Sequence, residues 1–118
     1  GGNMKKLLII CALLLPITGG MLLIANASER SKGIVSYEAK DDYYLIYTSM
    51  DDFTIVEVTL GFLNEGDIVY GNFKTYGIIT YYNATTNNEV NVWIEDWGLS
   101  KESAVRWLAE HGKLDYDD

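Results

Sequence analysis

The stretch EVNVWIE, residues 89–95, has the clearest periodicity in the chain, because every second side chain is aliphatic and none of the side chains between them is. The aliphatic side chains share one face of an extended strand, and they are Val90, Val92 and Ile94. Trp93 falls on the opposite face together with Asn91 and Glu95. This alternation predicts a β-strand whose aliphatic face lies in the core, while the Trp93 face meets solvent or a helix.

Five more runs of β-branched and aromatic residues precede this strand. They cover residues 33–39, 43–49, 53–59, 67–71 and 77–83. Turn-forming residues separate the runs, including the pairs Asp41-Asp42 and Asp51-Asp52, which tolerate the left-handed conformations of tight hairpins. Short runs of this kind, broken by turns, are typical of an all-β meander or barrel. The sequence therefore predicts a mainly β domain of five to six strands.

A helix is predicted to follow the strands, over residues 100–111. Ser100 is a favourable N-cap, and Gly112 is a favourable residue just beyond the end of a helix. Val105, Leu108 and Ala109 would form its apolar stripe. We expect this helix to pack on the barrel and to cover one of its open ends or edges.

The N-terminal part of the chain has the pattern of an export signal over residues 4–27. Two lysines follow Met4, an apolar run extends from Leu7 to Ala25, and Ala27 completes a small-x-small exit. This order is typical of a secretory signal peptide that is cleaved after Ala27. Residues 1–3 precede the natural-looking start and are interpreted as a cloning remnant.

The same apolar run also fits a membrane anchor that is retained. Its 19 residues are close to the roughly 20 that span a bilayer, so the sequence leaves cleavage and anchoring open. In both cases the two lysines stay in the cytoplasm by the positive-inside preference. Residues 28–118 are then expected to form one exported domain, periplasmic or on the cell surface, that meets the membrane only through the run from Leu7 to Ala25.

The charge of the exported part excludes some classes of partner. All 17 acidic residues lie after Ala27, against seven of the nine basic residues, which leaves a net charge of −10. So acidic a surface repels nucleic-acid phosphates and favours a basic partner. The single cysteine, Cys11, lies in the apolar run, so the exported domain has no disulfide.

Few residues of this sequence could take part in catalysis or metal binding. His111 is the only histidine, and it falls in the last predicted helical turn, where a cationic side chain meets the helix dipole favourably. Zinc needs clusters of Cys and His, which this sequence lacks. The two Asp pairs flank one strand and would lie at its opposite ends, so they do not easily share a calcium ion. We therefore expect no enzymatic activity, no metal and no cofactor.

Several of the runs together resemble an OB-fold domain. The resemblance covers residues 33–96 and is carried by GIV at 33–35, YLIYT at 44–48, FTIVEV at 53–58, GDIVYG at 66–71 and EVNVWI at 89–94. The sequence departs from that family in placing its helix at the C-terminus rather than between the third and fourth strands. An SH3-like barrel therefore remains an alternative.

The OB-fold resemblance implies that a ligand meets the middle strands and the loops beside them. Tyrosine and tryptophan are enriched at binding surfaces, and the aromatic candidates are Tyr44, Tyr47, Tyr70, Tyr81 and Trp93. An acidic rim would select a basic partner, and its candidates are Asp51, Asp52 and Glu57.

These observations predict a periplasmic or cell-surface binding module that recognises a protein or an envelope component. One alternative is an inhibitor of a secreted basic enzyme, since the domain resembles lysozyme inhibitors in size and charge. Another is an accessory subunit that the N-terminal apolar run holds to an envelope complex.

Overall fold

The computed structural model describes residues 30–114, which contain six strands and one helix. The strands are β1 (Ser31–Glu38), β2 (Tyr43–Thr48), β3 (Phe53–Leu60), β4 (Ile68–Gly71), β5 (Gly77–Asn83) and β6 (Asn88–Leu99), and the helix is α1 (Lys101–Glu110). The prediction of a mainly β domain that ends in one helix is therefore confirmed. Each of the six predicted runs overlaps one strand.

The strands form a closed antiparallel barrel in the order β1-β2-β3-β6-β5-β4. Strands β1 to β3 form a meander with tight turns, in which Asp41, Asp42 and Asp51 have positive φ angles. Aspartate accepts this conformation more readily than most residues, so the two Asp pairs suit the turns. Strand β4 then pairs with β1 and closes the barrel, which leaves no unpaired edge.

The connection between β3 and β4, residues 61–67, crosses one end of the barrel. Its Leu63 side chain is buried with the residues of the barrel interior. The carbonyl oxygen of Asp67 accepts a hydrogen bond from the Val35 backbone N–H at 2.9 Å. The buried Asp67 carboxylate also accepts one from the Asn83 side-chain amide at 2.7 Å. These bonds fix the connection to β1 and to the end of β5.

The inward side chains of all six strands fill the barrel. They include Val35, Tyr44, Ile46, Val56, Val58, Val69, Tyr81, Val90, Val92 and Ile94. The predicted orientation of the last strand is confirmed, since Val92 is buried and Trp93 is 43% exposed.

The helix packs on the outer face of the barrel, against β2 and β3, rather than over an open end. Its buried residues Ala104 and Leu108 contact the outward side chains of Leu45 and Ile55 in a second apolar cluster. Ser100 is the N-cap, as predicted, and its hydroxyl accepts a hydrogen bond from the Ser103 N–H.

The predicted apolar stripe of the helix is only partly right. Leu108 is buried, but Val105 and Ala109 are exposed. The stripe consists of Ala104, Trp107 and Leu108, which lie three and four residues apart and therefore share one side of the helix. Val105 was misassigned because it also follows helical spacing but falls at the border of the contact.

The predicted export or anchor segment, residues 4–27, and the remnant at residues 1–3 lie outside the described residues. Between residues 30 and 114, no helix has both the length and the apolar character that a membrane span requires. Signal cleavage and membrane anchoring remain predictions.

Candidate functional site

The outer surface of β3, β6 and β5 carries a row of side chains in register. Ile78 on β5 lies opposite Trp93 on β6, and Trp93 lies opposite Glu57 on β3. Ile78 is 73% exposed and Trp93 is 43% exposed. We call this surface the Trp93 face, and we define it by Glu57, Tyr76, Ile78, Trp93 and Glu95. It presents two large apolar side chains to solvent with carboxylates beside them.

The charges on these three strands all have the same sign. Strands β3, β5 and β6 carry Glu57, Glu89, Glu95 and Asp96, and they contain no lysine or arginine. Basic residues of the described part lie on β1, on α1 and in connecting segments. The charged side chains of these three strands are therefore all acidic, and they attract cations and basic groups.

Two tyrosine hydroxyls hold the carboxylates that flank this face. The Tyr43 hydroxyl donates a hydrogen bond to Glu95 at 2.9 Å, and the Tyr76 hydroxyl donates one to Asp96 at 3.3 Å. Burial and the Glu95 hydrogen bond raise the pKa of Tyr43, and the Asp96 charge raises the pKa of Tyr76. Both hydroxyls therefore remain neutral donors near pH 7.

The aromatic rings next to the Trp93 face are continuous with the helix. Tyr43 lies opposite Glu57 in the β2–β3 pair, and its ring packs against Trp107 of α1 with a centroid separation of 5.8 Å. The His111 ring stacks on the Trp107 ring with a centroid separation of 3.7 Å. The only histidine therefore caps an aromatic stack at the end of the helix, where its Nδ1 lies 2.7 Å from the Trp107 carbonyl oxygen.

Tyr47, which was predicted to share a binding face with Trp93, lies on a different part of the barrel. Tyr47 is 39% exposed and packs against Phe53 at 5.1 Å. In the strand register Trp93 is level with Tyr43, four residues before Tyr47 and two strands away. This offset amounts to about 13 Å along the strand and about 10 Å around the barrel. Tyr47 and Trp93 are therefore too far apart for one side chain of a partner to contact both.

The other predicted site residues near Tyr47 have local partners. The Tyr47 hydroxyl donates to the Asp51 carboxylate, which raises the pKa of Tyr47. The Thr48 hydroxyl donates to Asp52 at 2.5 Å. Asp51 and Asp52 therefore shape the β2–β3 turn, whereas Glu57 lies beside Trp93. Tyr70 is exposed on β4.

Tyr44 and Tyr81 do not face outward, contrary to the expectation for a binding surface. Tyr44 is 4% exposed and Tyr81 is 0% exposed, and both lie inside the barrel. The phase of β2 was ambiguous because α1 covers its outer face, which makes that face apolar as well. On β4, Gly71 makes room for Tyr81, since a Cβ at Gly71 would lie 2.4 Å from the Tyr81 ring.

The middle of β2 and β3, where the sequence predicted ligand contacts, is covered on its outer side. Leu45 and Ile55 are 4% and 0% exposed beneath α1. The exposed face lies instead on β5 and β6. Ile78 and Tyr76, which lie there, were not predicted from the sequence as site residues. In the sequence of β5, Ile78 and Ile79 are adjacent and therefore point to opposite faces of the strand. Because both are isoleucines, the sequence does not show which of them faces the core.

The carboxylates of the described residues are spread over the surface. Asp41 pairs with Lys113 at 2.9 Å near one end of β2, and Asp51 and Asp52 lie at the other end. Within residues 30–114, no three His, Cys, Asp or Glu side chains are grouped closely enough to hold a metal ion. The chemistry available at the Trp93 face is therefore apolar contact combined with charge attraction.

Comparisons with protein-family models, with curated proteins and with solved structures gave no match, so the function is inferred from the geometry of the Trp93 face.

Proposed function

We propose that the protein is a non-enzymatic binding module that recognises a basic protein or envelope component through the Trp93 face. The observation that carries this proposal is the pairing of Ile78 and Trp93 on strands whose only charged side chains are acidic. A large aromatic anchor supplies affinity, and the surrounding carboxylates select a positively charged partner and speed its approach.

The proposed localisation of the protein is on the outer side of the inner membrane. It is supported by the lysines, the apolar run and the small-x-small exit of residues 4–27. OB-like barrels bind ligands on the face of their second and third strands and on the adjacent loops. In this chain α1 covers the outer side chains Leu45 of β2 and Ile55 of β3, so the proposed contact lies on β5 and β6, where Ile78 and Trp93 are exposed.

Capture from a native envelope extract tests the proposal, with the full chain immobilised and binding compared at low and high salt. Replacing Trp93 by Ala should weaken capture of the partner by about 2 kcal/mol, because a central aromatic anchor is lost. Replacing Glu57 by Gln should slow association and reduce its salt dependence, because one attractive charge is removed.

Tyr47→Ala is the matched control, since Tyr47 has a similar exposure on a different part of the barrel. We expect capture by this variant to equal that of the unmodified protein. Equal loss in Tyr47→Ala and Trp93→Ala, or capture that salt does not weaken, would contradict the proposal. If the captured partner is a lysozyme-like basic enzyme, an activity assay decides whether binding inhibits it.

A further inference from the structure

A groove lies between α1 and the outer surface of β1 and β2, away from the Trp93 face. Its volume is about 440 Å³, within the range of about 300–1,000 Å³ that is common for small-molecule sites. Its lining residues are Ser36, Tyr37, Leu45, Phe53, Lys101, Val105, Leu108 and Leu114. None of them belongs to the Trp93 face, so the groove is a separate feature.

Apart from Ser36, Tyr37 and Lys101, the lining residues are apolar. Lys101, Val105 and Leu108 are spaced four and three residues apart, so they follow one another along the same side of α1. This side extends for about 10 Å from the lysine at the start of the helix. Leu45 and Phe53 form the opposite wall. The hydroxyl of Ser36 already donates to the Leu45 carbonyl oxygen.

Among the described residues that line the groove, the only charged one is Lys101, although residues 28–118 carry a net charge of −10. Lys101 is exposed. Over residues 30–114 the one salt bridge joins Lys113 to Asp41, so Lys101 has no carboxylate partner in that part of the chain. The positive end of the helix dipole lies at the same place and would add to the attraction for an anion.

We propose that this groove binds a single-chain anionic amphiphile, with its carboxylate at Lys101 and its alkyl chain along Val105 and Leu45. The match is one of shape and charge. The apolar lining takes the chain, and Lys101 at the start of α1 takes the head group. This site is independent of the proposed partner surface, and either can fail without the other.

Photolabelling of the full chain with a diazirine derivative of dodecanoate tests the inference, because peptide mass spectrometry then reports where the probe binds. We expect labels on peptides that contain Leu45 and Val105, and unlabelled dodecanoate should compete. In Lys101→Gln the competition by dodecanoate should weaken about fivefold, which is the scale of an exposed ion pair. Competition by the neutral dodecanol should stay unchanged.

Arg106→Gln is the matched control, because it removes one positive charge from the same helix at a position that does not line the groove. It should bind dodecanoate like the unmodified protein. Val105→Trp should fill the groove and block labelling by the diazirine probe. Labels confined to residues 7–25 or to other surfaces would overturn the inference, as would equal effects of Lys101→Gln and Arg106→Gln.

Discussion

Two tyrosines of this barrel differ in whether their hydroxyl group has a partner. Tyr81 is fully buried, and its hydroxyl makes no hydrogen bond to any residue between 30 and 114, whereas the Tyr43 hydroxyl donates to Glu95. A buried polar group without a partner lowers stability, because it loses its hydrogen bonds to water and gains none. The ring of Tyr81 packs against the ring of Phe73 with a centroid separation of 4.9 Å.

Replacing Tyr81 by Phe should therefore raise the free energy of unfolding by about 1 kcal/mol, because the ring stays and the unpaired hydroxyl is removed. Tyr43→Phe is the paired control and should lower it by about 1 kcal/mol, because the Glu95 hydrogen bond is lost. Urea denaturation of both variants measures the difference. A loss of stability in Tyr81→Phe would show that its hydroxyl is satisfied.

At the residue scale, the sequence predicted orientation well only where one face of a strand was polar. The alternation around Val92 was clear, because Asn91 and Glu95 mark the outer face. On β2 both faces are apolar, since one faces the barrel interior and the other faces α1. No local pattern distinguishes two buried faces, so Tyr44 was placed outside.

At the scale of elements, α1 is held by a narrow contact. Leu108 and Ala104 are completely buried against the barrel, while Val105 is 37% exposed at the edge of the groove. The ends of the helix were predictable, because Ser100 and Gly112 act through local backbone conformation. The surface that the helix covers was not predictable, since it depends on contacts with distant strands.

Leu108→Ala should lower the free energy of unfolding by about 2–5 kcal/mol, because it leaves a cavity between the helix and β3. Val105→Ala should cost less than about 1 kcal/mol, because that side chain is already partly in solvent. Thermal and urea unfolding of the two variants check the contrast. Similar losses in both would support the stripe that the sequence predicted instead of the observed one.

At the scale of the whole molecule, closure of the barrel depends on pairing between β1 and β4, whose partners Gly33 and Val69 are far apart in sequence. Runs and turns predict the strands but not this long-range pairing. The closed barrel has two surface regions of different charge. The charged side chains of the strands around Trp93 are all acidic, and the groove beside α1 contains Lys101, which makes no salt bridge within residues 30–114.

The buried tyrosines also make the stability of the barrel depend on pH in the alkaline range. Burial raises the pKa of Tyr81 above its ordinary value of 10.0. Below that ordinary value the folded and unfolded states both keep the proton, so this contribution to stability is fully present. As the pH rises above about 10, the unfolded chain releases the proton while the folded chain keeps it, and stability falls.

The slope from Tyr81 should approach about 1.4 kcal/mol per pH unit, which is the value for one proton. Tyr81→Phe should remove this component, so its stability should fall less steeply between neutral and strongly alkaline pH. Val92→Ala is the control, since it should lower stability by about 1–3 kcal/mol at every pH without changing the slope. Urea unfolding at a series of pH values measures both. An unchanged slope in Tyr81→Phe would mean that Tyr81 ionises as readily in the folded barrel as in the unfolded chain.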